Sequence, residues 1–132
     1  MPEEEKFVWL SKDVILTFHE QALMKYGGLH GVRDEGLLES ALARPQNLAA
    51  YENKDVFECA AAYAYGIAKN HPFVDANKRT ALFSCYAFLK RNGQYLKAPP
   101  DECVVMMVAL ASGKASEADF AAWLRKHSTK QK

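Results

Sequence analysis

An all-α fold, packed as a compact helical bundle, is predicted for this chain by three observations. Val56 to Asn70 is an alanine-rich apolar run that reads as a buried helix. Elsewhere apolar residues recur at helical spacing. Capping side chains (Ser11, Asp34, Asp55, Ser116) precede several of these runs, and glycines (Gly27-Gly28, Gly93, Gly113) stand just beyond three of them.

Taken in order, Phe7-Val8-Trp9-Leu10 is a brief apolar run, either a short extended segment or a staple onto the first helix. Ser11 caps that helix, whose inward face is Val14, Ile15, Phe18, Ala22 and Leu23; His19 and Glu20 are expected on its solvated side. Leu29 to Arg33 is a loop. Asp34 caps a short helix with Leu37, Leu38, Ala41 and Leu42 inward, and Arg44-Pro45 is expected to stop it. Gln46 to Tyr51 reads as a further short helix. Asp55 starts the long apolar helix, in which Tyr63 and Tyr65 are core-edge aromatics, although one of them can stack on a base. Its alanines leave room for close helix packing.

Pro72 biases its predecessor away from the α region, so that helix should end at Asn70 or His71. The next helix spans about Thr80 to Arg91, with Asp75 or Asn77 supplying its N-cap oxygen and Phe73 anchoring the turn inward. Gln94-Tyr95-Leu96 is expected to be a connector. Pro99-Pro100-Asp101 starts a helix with Val104, Val105, Met107, Val108 and Leu110 as its apolar content. Ser116 and Asp119 form a capping box for the last helix, with Phe120, Trp123 and Leu124 inward, and the tail from Lys126 to Lys132 is expected to fray.

The chemistry concentrates in His71-Pro72-Phe73-Val74-Asp75-Ala76-Asn77-Lys78-Arg79-Thr80. Lys78 and Arg79 fall in or beside a helix's first turn, where cations oppose the dipole and cost up to about 1 kcal/mol. A bound anion above them removes that conflict. Free N–H groups at a helix start already attract phosphate, and Lys plus Arg extend the site to a polyphosphate. Asp75 can hold Mg²⁺ against those phosphates, and His71 can accept a proton from an incoming hydroxyl. These parts describe phosphoryl or nucleotidyl transfer. Each residue alone also has a plain structural reading: His71 bonding the last carbonyls of a helix, Asp75 a cap, Lys78-Arg79 a solvated surface. The whole set within nine positions favours the site.

The same string resembles the signature of the Fic/Doc superfamily, H-x-F-x-[DE]-[AG]-N-[GK]-R. Lys78 between Asn77 and Arg79 is similar to the death-on-curing (Doc) branch; Fic adenylyltransferases have glycine there and a second arginine where this chain has Leu82. The likeness extends from Tyr26-Gly27-Gly28-Leu29 and Gly31-Val32-Arg33-Asp34 to Lys90-Arg91-Asn92-Gly93. The resemblance implies a small all-helical fold with a flap-like loop near residues 27–34, in which His30 and Arg33 are candidate substrate contacts. It also implies a toxin of a type II toxin–antitoxin pair. Its activity would be transfer of the ATP γ-phosphate to a threonine of the elongation factor that delivers aminoacyl-tRNA. By position, His71 would be the general base, Asp75 the Mg²⁺ ligand, and Asn77, Lys78 and Arg79 the phosphate clamp. Doc-type sequences can carry an asparagine at the position of Phe83, where its amide would help hold the nucleotide; a phenyl ring cannot.

Fic proteins that restrain themselves carry an [ST]-x-x-x-E-[GN] helix. Here Glu35-Gly36 and Glu52-Asn53 have Gly31 and Leu48 four residues earlier, so neither match is complete and restraint is expected from an antitoxin chain. The alternatives are transfer of AMP to a protein hydroxyl and a catalytically inactive antitoxin-binding module.

Composition sets the remaining bounds. The 132 residues are expected to form a single domain, 49% hydrophobic and 25% charged, as in an ordinary globular protein. A net charge of +1 argues against a nucleic-acid-coating protein, though it leaves room for a local basic groove; no direct nucleic-acid binding is expected. Cys59, Cys85 and Cys103 have no zinc-like spacing and read as buried hydrophobes in a reducing compartment. The start, Met1-Pro2-Glu3-Glu4-Glu5-Lys6, is acidic where a signal peptide is basic, and no apolar run reaches membrane-spanning length. A cytoplasmic protein without membrane contact is expected.

Overall fold

A computed structural model describes residues 6–131. The acidic start, residues 1–5, and Lys132 lie outside the described residues. The elements are α1 (Lys12–Tyr26), α2 (Glu35–Glu52), α3 (Val56–Asn70), α4 (Asn77–Arg91), β1 (Gln94–Leu96), α5 (Pro100–Ser112), α6 (Glu117–Lys126) and β2 (Ser128–Lys130). The architecture is the expected all-α one with a two-stranded ribbon added.

The bundle is built around α3, which touches α2, α4, α5 and α6. Its alanines and Gly66 bring neighbouring backbones close: a methyl group on Gly66 would stand 3.1 Å from the Cα of Ala41 on α2. A capping box starts α3, with the Glu58 N–H donating to Asp55 Oδ1 at 2.9 Å and the Asp55 N–H to Glu58 Oε1 at 3.0 Å. Tyr63 is fully buried, and its hydroxyl accepts the Leu10 N–H at 3.0 Å. Burial pushes that hydroxyl's pKa up to about 12. Tyr65 lies beneath the Arg44 guanidinium, 4.9 Å from its ring centre. Both tyrosines serve packing, and neither faces the cleft described below.

The caps at Ser11, Asp34 and Ser116 form as expected. Three expectations are corrected. Pro45 does not stop α2, which runs through it to Glu52. A proline there removes one ladder bond, but Leu38, Ala41 and Pro45 are the buried side of the helix, and their burial offsets the lost bond. Gln94 to Leu96 is not a mere connector and the tail does not simply fray, because the two segments pair antiparallel, Tyr95 opposite Thr129. The pair is extended by Lys97 N–H to His127 O at 2.8 Å and Gln131 N–H to Gly93 O at 2.9 Å. Three-residue strands carry no alternation that periodicity can register.

Phe7 to Leu10 is anchored on α4: Leu10 is buried, the Trp9 ring stacks on Phe88 at 5.4 Å, and Phe7 packs edge-on against both rings. In α5 only Cys103, Met107 and Leu110 are buried, and Val104, Val105 and Val108 face outward. The three cysteines are buried and unbridged. No helix among the described residues is long and apolar enough to cross a membrane.

Two substitutions test the packing by urea denaturation. Gly66→Val should destabilise by about 1–3 kcal/mol, since its contacts are with backbone that cannot step aside. Phe73→Ala, which empties the site of a 1% exposed ring, should cost about 3–5 kcal/mol.

Candidate active site

The helix α3 ends at Asn70, and His71 takes a left-handed cap conformation (φ 49°) with its N–H on Ile67 O. The last carbonyls of a helix need donors from elsewhere. Arg33 supplies them, giving Nε to His71 O at 2.7 Å and a terminal nitrogen to Asn70 O at 2.8 Å. Its guanidinium thus braces the backbone beneath His71. His30, the other loop candidate, is exposed and lies 3.1 Å from Glu20 Oε2, and it does not line the cleft.

The loop before α2 is sewn to the motif. Val32 bridges Phe73, the Val74 N–H donates to Gly31 O at 3.0 Å, and the Arg33 N–H donates to Pro72 O at 2.7 Å. Phe73 points inward as expected and stacks on the His19 ring, 3.9 Å between centres and 10° from parallel. His19 is itself buried, a correction to its expected solvated place. Its spacing carried the signal: it stands four residues after Ile15 and three before Ala22, on the apolar stripe.

Neither expected residue caps α4. Asn77 is buried and closes the turn on itself, its Oδ1 accepting the Phe73 N–H and its Nδ2 donating to Phe73 O, both at 3.0 Å. The Asp75 carboxylate accepts the Ala76 N–H on Oδ1 at 2.9 Å and the Leu29 N–H on Oδ2 at 3.2 Å. The N-cap is Ala76, at φ 62°, with no side-chain cap bond. Because each candidate cap is spent on the turn, the first N–H groups of α4 have no capping side chain and face an open cleft.

That cleft, about 440 Å³, is within the ordinary range for small-molecule sites. His71, Asp75, Asn77, Lys78 and Arg79 all line it, so the motif's five candidate residues converge there, whereas the loop candidates His30 and Arg33 do not. Its apolar lining comes from Leu82 on α4 and from Val104, Met107 and Val108 on α5. Lys78 and Arg79 lie in the first turn of α4, and the Arg79 guanidinium rests 4.3 Å from the Tyr26 ring centre. His71 is exposed at the rim; Asn77 Nδ2 is 3.5 Å from its Nδ1, too long a contact to select a tautomer. Phe83 lies elsewhere, in a separate hollow with Phe18 and Tyr86. One helical step turns a side chain by about 100°, so with Leu82 on the cleft its successor faces α1.

The chemistry of the site fits a nucleotide with Mg²⁺. The N–H of Ala76, and after it that of Leu29, hold the Asp75 carboxyl below its ordinary pKa. An ionised carboxylate has about four acceptor positions; two are taken, which leaves room for a cation. Among the described residues no group of three or more His, Cys, Asp or Glu side chains is arranged to hold a metal. A lone carboxylate suits Mg²⁺, which draws most of its ligands from phosphate and water.

Residues 9–89 match the model of the Fic/DOC family. The chain is 39% identical over 118 residues to a protein of Escherichia phage P1 named "Protein kinase doc", covering 89% of this chain and 93% of that one. It is 40% identical over 97 residues to "Toxin Doc" of Mycolicibacterium smegmatis, covering 70% of this chain and 71% of that protein. With the signature complete from His71 to Arg79 and the match spanning most of its length, the chain belongs to the Fic/Doc family.

Proposed function

We propose that this chain is the toxin of a type II toxin–antitoxin pair and acts as a single-domain, cytoplasmic protein kinase. It transfers the γ-phosphate of ATP to a threonine of the elongation factor that delivers aminoacyl-tRNA, and so stops translation. The observation that carries the reading is the uncapped start of α4, set in one cleft with Lys78, Arg79, Asp75 and His71. The names of the two relatives, a protein kinase and a toxin, support it.

In this reading the N–H groups of the first turn of α4 and the Lys78 ammonium bind the phosphate oxygens. Arg79, steadied on Tyr26, adds a second cation at the same end. Asp75 holds Mg²⁺, which when bound neutralises phosphate charge. His71 takes the proton from the threonine hydroxyl as its oxygen attacks the γ-phosphorus and the bond to the β–γ bridging oxygen breaks, releasing ADP; Arg33 keeps the backbone under that imidazole from shifting. The apolar side chains of α5 that line the cleft offer the rest of the nucleotide a hydrophobic surface. Neither Glu35 nor Glu52 lines the cleft, which supports restraint by a separate antitoxin chain.

Incubating the protein with the elongation factor and ATP labelled at the γ or the α position tests the reading. Label from the γ position, with one phosphate on a threonine by mass spectrometry, is the expected result; label from the α position alone means AMP transfer and overturns the kinase reading. His71→Ala should lower transfer at least 100-fold with an unchanged melting temperature, because the ring is exposed and its removal costs a general base. Asp75→Ala should keep the fold but lose most of the Mg²⁺ dependence of nucleotide binding, measured by calorimetry.

A further inference from the structure

We propose that His19 is a positioning residue that aims the Asp75 carboxylate; the inference rests on the proposed role of Asp75 toward Mg²⁺–nucleotide. His19 is 3% exposed, and the other buried residues of α1 are Ile15, Ala22 and Leu23, all apolar. A polar ring in such a place is costly unless its nitrogens are used. Its Nε2 lies 2.9 Å from the main-chain oxygen of Asp75. That oxygen only accepts, so Nε2 carries the proton and the tautomer follows.

The bond acts on one peptide unit from one side while the carboxylate acts from the other. The unit joining Asp75 to Ala76 is planar, so its C=O and N–H turn together. His19 holds the oxygen at 2.9 Å, and Asp75 Oδ1 holds the Ala76 N–H at 2.9 Å. Rotation of the unit breaks both. The same unit leads into Ala76 at φ 62°, a conformation that a residue other than glycine keeps only under constraint. His19 thus sets the direction of the carboxylate and the left-handed step that opens α4 toward the cleft.

The ring is fixed in turn. It lies flat on Phe73, whose own N–H and C=O are both held by Asn77. The second carboxylate oxygen is held by the segment that follows α1: Leu29 donates to Oδ2, and Gly28 passes so close that a Cβ there would be 2.9 Å from it. The backing of Asp75 therefore comes from α1 and its exit, 56 residues away in sequence from the motif at His19.

Two variants separate the ring from its proton. His19→Phe keeps a flat ring on Phe73 and removes the donor, whereas His19→Gln supplies an amide donor of similar reach. In the full-length protein, His19→Phe should raise the Mg²⁺ concentration for half-maximal ATP binding about tenfold, the usual scale for groups behind a metal ligand. Its kcat should fall more than its KM for ATP rises, and His19→Gln should recover most of the loss. Independently of nucleotide, hydrogen exchange of the Ala76 amide in the free protein should quicken at least tenfold in His19→Phe and revert in His19→Gln. Unchanged Ala76 exchange in a folded His19→Phe protein overturns the proposal, as does an equal loss in both variants that merely follows their melting temperatures. If the wild-type protein binds no Mg²⁺–ATP, the kinase reading fails instead, and Ala76 exchange alone decides the role of His19.

Discussion

Ala76 stands at the start of α4 in a left-handed conformation, and the cleft depends on that one backbone step. A helix start usually spends its free N–H groups on the side chain just before it. Here both neighbours able to do so are committed elsewhere: Asn77 bonds the Phe73 peptide on both sides, and Asp75 bonds Ala76 and Leu29. The result is a helix dipole aimed at an open cleft with two cations beside it. In a chain of net charge +1, that local field comes from geometry and not from bulk composition.

The step is held because a rigid body stands behind it. The small residues of α3 let neighbouring backbones approach to contact, so its carboxyl end, and His71 with it, is fixed relative to α4. Phe73 carries that rigidity into the turn. Arg33 closes the exposed carbonyls of Asn70 and His71, and Val32 pairs with Phe73 from the loop preceding α2. The loop that resembles a flap is thus bonded to the motif along its length, with backbone and side-chain donors both engaged. Stored strain at Ala76 of about 1–3 kcal/mol is small against these combined contacts.

How much of this is legible in the sequence varies with the range of the interaction. The helices and most caps follow from local rules: Ser11, Asp34, Asp55 and Ser116 each bond an N–H three residues on, so sequence spacing predicts them. The convergence of His71, Asp75, Asn77, Lys78 and Arg79 is legible for the same reason, since a single turn brings them together. Pro45 misleads because its local penalty is outweighed by burial against α3. The ribbon is invisible because its two short strands meet only after α5 and α6 have been placed.

The motif's residue types by themselves determined what chemistry the cleft can host: a proton acceptor, a carboxylate and two cations at one helix start. Tertiary structure alone decided how those groups are held. Hydrogen bonds from Arg33, Leu29 and His19 reach the motif from elements far away in sequence. Local periodicity covers a few residues at most, whereas the partner of a backbone carbonyl at Asp75 or His71 is chosen by how whole helices pack.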